Sequence, residues 1–389
     1  MTAIERLPAA DLAIDRELAD IALGYRFLLD VTPVNLVDAR HRFLDQGTPP
    51  AFRYRPLEDD VDVVASRLAK VEIHAVEDAT VSHMLLAKHR EVALQIEMLR
   101  CRGSADFLPL STELYGAVSP ILLAAAEQLL DEIGVPPNDE GPPVDAATFA
   151  RLADAEVDRY RQALPELDVK IELRDDGTGI MVANGDLLIA SSATVPASRV
   201  KALLQHEVGT HVVTFVNGMH QPLHLLAAGL AGYEETQEGL AVLAEHLVGG
   251  LSAARLRQVA ARTVAVHQMV EGASFADVHR ALTGYGVRPV SAFTIAARVF
   301  RSGGLTKDAI YLRGLIDLVS HLAAGGCLEA LWLGKMGLAD APLVEQLASR
   351  GLLHEPVLLP RYLDDPAAQA RLRQAGSFPS LVDLIGDPQ

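Results

Sequence analysis

One short string in this chain could do chemistry by itself: HEVGTH, which sets His206, Glu207 and His211 close together. Two imidazoles can bind a zinc ion, and the glutamate beside them can act as general base toward a water held there. The spacing is unusual. Histidines four apart on a helix lie about 40° apart around its axis, but five apart they lie about 140° apart. On a regular helix, both could not reach one ion. Either the helix absorbs an extra residue as a π-bulge, or the string is not a metal site. Gly209 stands between the histidines, where a distorted backbone costs least.

A second group lies downstream. GYEETQEGLAVLAEHL (232–247) carries Glu234, Glu235, Glu238 and Glu245 at helical spacing. A carboxylate on a following helix would complete a site of two histidines and one glutamate, with one position open. Glu238, 27 residues beyond His211, suits that role, and Gly239 beside it would let two helices approach closely. Glu234, Glu235 or Glu245 could orient a ligating imidazole through its other nitrogen. Hydrolysis also needs a donor for the developing oxyanion, for which Tyr233 and Tyr311 are candidates. A substrate carboxylate needs a cation, and FRSGGLTKDAIYLRG (300–314) supplies Arg301, Lys307 and Arg313 around Gly303–Gly304. Asn217 and Gln221 are assigned to the substrate side, shaping the loop after the histidine helix. Asn217–Gly218 also reads as a simple helix C-cap.

HEVGTH, then Asn217, Gln221 and Pro222, then TQEGLA (236–241), together resemble a family of HExxxH metallopeptidases. Its bacterial members share the QEGLA motif. Its animal members include the microtubule-associated tyrosine carboxypeptidases, which remove the C-terminal tyrosine of α-tubulin. The resemblance begins at PVNLVDARHRFL and FRYRPL (33–57), ends at FRSGGLTKDAIYLRG, and covers roughly residues 30–320. It implies that His206, His211 and Glu238 bind Zn2+ and that Glu207 is the catalytic base and proton shuttle. It implies a mainly helical α+β fold: a zincin-like (gluzincin-type) catalytic core with a small β-sheet and flanking helices.

The expected function is a zinc carboxypeptidase acting on a peptide or protein C-terminus, aromatic residues being among those it would remove. The tubulin substrate of the animal members is not carried over. A zinc aminopeptidase or endopeptidase is the alternative enzyme. A zinc-stabilised regulatory protein without activity is the third reading, against which Glu207 speaks because zinc binding does not require it.

These groups must be positioned by the rest of the chain. Of its 389 residues, 50% are hydrophobic and 22% charged, enough apolar character for a core. A net charge of −17 argues against nucleic acid and anionic lipid as partners. Cys101 and Cys327 fit neither a disulfide framework nor a zinc ribbon, and read as buried thiols in a reducing cytosol. The start lacks the basic and apolar segments of a signal peptide, and the apolar runs are too short for a membrane span. A cytoplasmic protein is expected.

Three regions are read: a mainly helical 1–144, a metallopeptidase core 145–320, and a helical 321–389 packed on that core. VPPNDEGPPVD (135–145) is the clearest linker, and Asp145 is a plausible N-cap for the helix after it. VKIELRDDGTGIMVANGDLLIASSATV (169–195) reads as two or three strands joined by tight turns at DDGTG and NGD. Many zinc peptidases share this order of helices, small sheet, histidine helix and acidic helix. In them the edge strand of the sheet borders the cleft.

Overall fold

The computed structural model describes residues 6–58, 60–136, 141–175 and 179–386. The architecture is mainly helical with two small sheets, an α+β chain. Several helices start where the sequence provides a cap. Asp145 accepts from Thr148 N at 2.7 Å and opens Ala146–Arg161 as expected. Asp78 opens Ala79–Arg100, and Ser119 with Pro120 opens Pro120–Ile133.

The strands are β1 (Pro143–Asp145), β2 (Ile171–Arg174), β3 (Ile180–Ala183), β4 (Asp186–Ala190) and β5 (Thr194–Pro196). The pair β1–β5 is a separate antiparallel ladder, and the main sheet has the order β2-β4-β3. Asn184 and Gly185 both take positive φ, 51° and 85°, so the NGD segment makes the tight turn between β3 and β4. The expected DDGTG turn falls partly on residues 176–178, outside the described residues. It does not join neighbouring strands, because β2 pairs with β4 in parallel and leaves β3 at the edge. That order puts the most buried strand in the centre: Leu187 and Ile189 of β4 are wholly buried.

Two cores hold these parts. The smaller gathers residues between Ala146 and Val216, with Leu358 added from far downstream. The larger draws on residues from Ile14 to Leu384, so the N-terminal helices share it with the helices after Leu223. The histidine helix faces the smaller core through Val208, Val212, Val213 and Val216. Each such burial contributes about 1.5–3 kcal/mol.

The helix Tyr233–Leu247 lies between the histidine helix and Ile310–Ala323. Gly239 meets Gly314 there so closely that a Cβ on Gly239 would stand 2.3 Å from the Gly314 carbonyl carbon. Both cysteines are free, but Cys327 is exposed and Cys101 only half-buried, which corrects the expectation of two buried thiols. Among the described residues, no single helix is long and apolar enough to cross a membrane.

Candidate functional site

The histidine helix runs through Val200–His206, a π turn at Glu207–Val212, and Val213–Met219. The π turn widens the helix by one residue between the two histidines. It brings residues about 140° apart on a regular helix to one side, with ring centroids 5.2 Å apart. Thr210 helps to carry the bulge: its hydroxyl donates to Gln205 O, five residues back, at 3.1 Å. Gly209 keeps ordinary right-handed backbone. It is needed for room, since a Cβ there would stand 2.5 Å from Gln205 Oε1.

Glu238 arrives from the next long helix. Its Oε2 lies 3.7 Å from His206 Nε2 and 3.8 Å from His211 Nε2, is buried, and has no hydrogen-bond partner. Its Oε1 accepts from Lys307 Nζ at 3.2 Å. One oxygen is therefore held, and the other is left facing two imidazoles. Four tetrahedral ligands at about 2.1 Å from a zinc lie about 3.4 Å from one another. The carboxylate oxygen stands close to that separation from each imidazole, all three atoms lie within 4.8 Å of one another, and among the described residues this is the one such group that could hold a metal ion.

The surroundings fix the ligand atoms. His206 Nδ1 bonds to Glu245 Oε1 at 2.9 Å, which leaves Nε2 free to face Glu238. Glu245 is fully buried and is gripped in turn by Arg199 at 2.7 Å and Arg255 at 3.1 Å. Burial alone would lower the His206 pKa, but the nearby Glu238 carboxylate and the hydrogen bond to Glu245 raise it to about 9. Burial lowers His211 to about 3, against the pull of Glu238. Burial pushes Glu207 up to about 7, the range in which a carboxyl can both take and give a proton near neutrality. Glu238 stays well below the usual carboxylate range, because Lys307 and the imidazoles outweigh its burial.

These groups open on a cavity of about 240 Å³. The edge strand β3 forms one wall, as the element order suggested. Tyr233, Tyr311, Arg301 and Lys307 also line it. Arg301 donates to Thr32 Oγ1 at 2.8 Å, while its buried Nε has no partner. Lys307 is engaged otherwise than expected, because Glu234 and Glu238 take its cation at 3.1 and 3.2 Å.

Three expected substrate-side residues do not line the cavity. Arg313 turns to Glu235 and the Tyr115 carbonyl. Asn217 is wholly buried, with its amide on the Trp332 and Leu358 carbonyls and its oxygen on Leu358 N. Gln221 makes the same two-way pairing with the His354 backbone. Both carboxamides fasten a distant segment to the end of the histidine helix.

The structure adds residues that the sequence reading missed. Arg298 lines the cavity and makes a bidentate pair with Asp308, both bonds 2.6 Å. Arg262 and Arg301 stand near the same acid, so three guanidiniums share one carboxylate. Lys335 is buried in the wall with the rings of Phe215 and Tyr233 as neighbours, 5.1 and 5.6 Å from their centroids. Burial, then repulsion from Lys88, lowers its pKa to about 8. Tyr25 and Phe27 come from the N-terminal region. For Arg298, its position three residues before Arg301 on a helical stretch was an available signal. Lys335, Tyr25 and Phe27 had none, since tertiary packing alone brings them in.

A family model described as microtubule-associated tyrosine carboxypeptidase matches residues 41–378. The chain is similar to microtubule-associated tyrosine carboxypeptidase 1 of Mus musculus, 31% identical over 176 residues, covering 42% of this chain and 36% of the relative. It is also similar to the Homo sapiens protein of the same name, 28% identical over 185 residues, covering 45% and 37%. The matched stretch spans little more than a third of the length of these relatives. With a site of two histidines and a glutamate in place and a family match over most of its length, the chain belongs to the microtubule-associated tyrosine carboxypeptidase family.

Proposed function

We propose that this chain is a zinc-dependent carboxypeptidase with a zincin-like core, which removes a C-terminal residue from a peptide or protein. One observation carries the reading: the buried, unpartnered Glu238 Oε2 facing His206 Nε2 and His211 Nε2. A buried carboxylate oxygen without a partner is costly, and a cation between the three groups would relieve that cost. His206, His211 and Glu238 would hold the ion, and Glu245 would keep the His206 tautomer that suits it. When bound, zinc would supply Lewis acidity toward the scissile carbonyl and the attacking water.

The protein's own groups do the rest. Glu207 takes a proton from the attacking water and returns it to the leaving amine. Tyr311, with Tyr233 as second candidate, donates to the oxyanion. Arg301, supported by Arg298, receives the terminal carboxylate. That cationic wall favours a carboxypeptidase over an aminopeptidase, whose substrate ammonium would need a free acid. Glu234 and Glu238 are already taken by Lys307. Tyr25, Phe27 and Leu23 give the cleft apolar surface suited to an aromatic side chain.

The test pairs metal analysis with blocked peptides. The purified protein should carry about one zinc, and cleave peptides with free C-termini one residue at a time. Equal turnover of C-terminally amidated peptides would exclude the carboxypeptidase mode. Glu207→Gln should retain zinc and lose about 10²–10⁴-fold in kcat.

A further inference from the structure

A second cavity of about 480 Å³ shares no lining residue with the cleft. Arg199, Arg255, Arg257 and Arg288 line it, and among the described residues no Asp or Glu does. In a chain with 51 acidic and 34 basic residues, four arginines around one hollow are not a sample of the surface. Arg257 is buried and spends its guanidinium on the Leu130 and Tyr285 carbonyls rather than on an acid. Two helices also begin here. Ala253–Val270 contributes Ala254 and Arg255, and Pro289–Phe300 contributes Ser291. Helix starts add positive potential. Val135, Leu203, Val287 and Ile295 make the remaining wall apolar.

This hollow reaches the candidate metal centre through three side chains. Arg199 and Arg255 both grip Glu245, and Glu245 bonds to His206 Nδ1. We propose that the cavity binds a small organic polyanion, phosphorylated or polycarboxylic, and that its occupancy is coupled to the metal centre through Arg199, Arg255 and Glu245. An anion drawing on the two guanidiniums competes with Glu245 for their protons and changes how Glu245 holds His206. Coupling of this kind acts equally in both directions. The binding half stands without the proposed function; the coupling half rests on it.

The experiment is calorimetric titration of the whole protein at fixed ionic strength. Fructose 1,6-bisphosphate represents the phosphate class and tricarballylate the carboxylate class. Saturable one-to-one binding of either is expected, with the tighter probe identifying the class. Arg288→Gln should weaken it about tenfold, and Ser291→Glu, which puts an acid in the hollow, by more. Neither residue touches Glu245 or the cleft, so basal peptidase activity should not change. Absence of saturable heat, or unchanged affinity in both variants, overturns the site. Repeating the titration after zinc is stripped should change the affinity about fivefold or more. Equal affinities overturn the coupling alone. A protein that takes up no zinc overturns the metal centre and the coupling together, while the titration still decides the cavity.

Discussion

Glu245 stands one hydrogen bond behind a candidate zinc ligand, with no contact to solvent. Glu245→Gln keeps the shape but weakens the hold on His206. Zinc affinity should fall about 10–100-fold, as measured by chelator competition. An unchanged affinity would remove Glu245 from that role. Lys335 makes the opposite case. Its pKa is lowered to about 8, so below that pH the folded state carries a cation that the unfolded chain holds more easily. Lys335→Met should therefore stabilise the protein at pH 7, by up to about 3 kcal/mol. The gain should shrink as pH rises from about 8 toward 10, where the unfolded lysine also loses its proton. Thermal melts at pH 7 and 10 measure this.

The helices act on the site by how closely they approach. Glu238 reaches the histidines because Tyr233–Leu247 lies against Ile310–Ala323 with glycine on both sides of the contact. A Cβ on Gly314 would stand 2.0 Å from the Glu235 carbonyl oxygen. Gly314→Ala must push the two helices apart, at about 1–3 kcal/mol, and carry Glu238 away from the imidazoles. Both a lower melting temperature and weaker zinc retention should follow. Loss of stability with normal zinc binding would detach the contact from the centre. The π turn is the other element-scale device. The five-residue spacing posed that possibility, since only a widened turn lets His206 and His211 share one side. That Gly209 serves by leaving room for Gln205, and not by unusual backbone, was not legible, because it depends on a side chain packed in three dimensions.

At the scale of the whole molecule, the grouping of His206, His211 and Glu238 with Glu207 beside them was readable because these residues sit on two neighbouring helices at fixed local spacing. The cleft walls were not, because Tyr25, Phe27, Arg298 and Lys335 come from separate stretches joined only by packing. Arg313 stays out of the cleft for the same reason: proximity in sequence to Arg301 and Lys307 does not put all three on one face. Long-range ties hold the assembly together. Asp15, fully buried, receives the backbone amides of His224 and Leu225 at 2.6 and 3.0 Å, joining the first helix to the loop after the histidine helix. Burial raises its pKa to about 6, against those two hydrogen bonds and Arg16, with Asp20 adding to the rise. The stability it contributes is fully present below about pH 4 and is lost as pH rises through 6. The stability difference between wild type and Asp15→Asn should thus move by up to about 3 kcal/mol between pH 4 and 7, in favour of wild type at low pH. Urea midpoints at the two pH values measure it. The carboxamides of Asn217 and Gln221 have a consequence in time. On the ribosome, Asn217 in the histidine helix and Gln221 just after it are made well before His354 and Leu358, whose peptide groups they must meet. Until those residues emerge, two amides destined for burial have only water to bond, and the end of the helix stays loose. In the newborn chain the candidate site therefore stays unfinished until that late stretch docks.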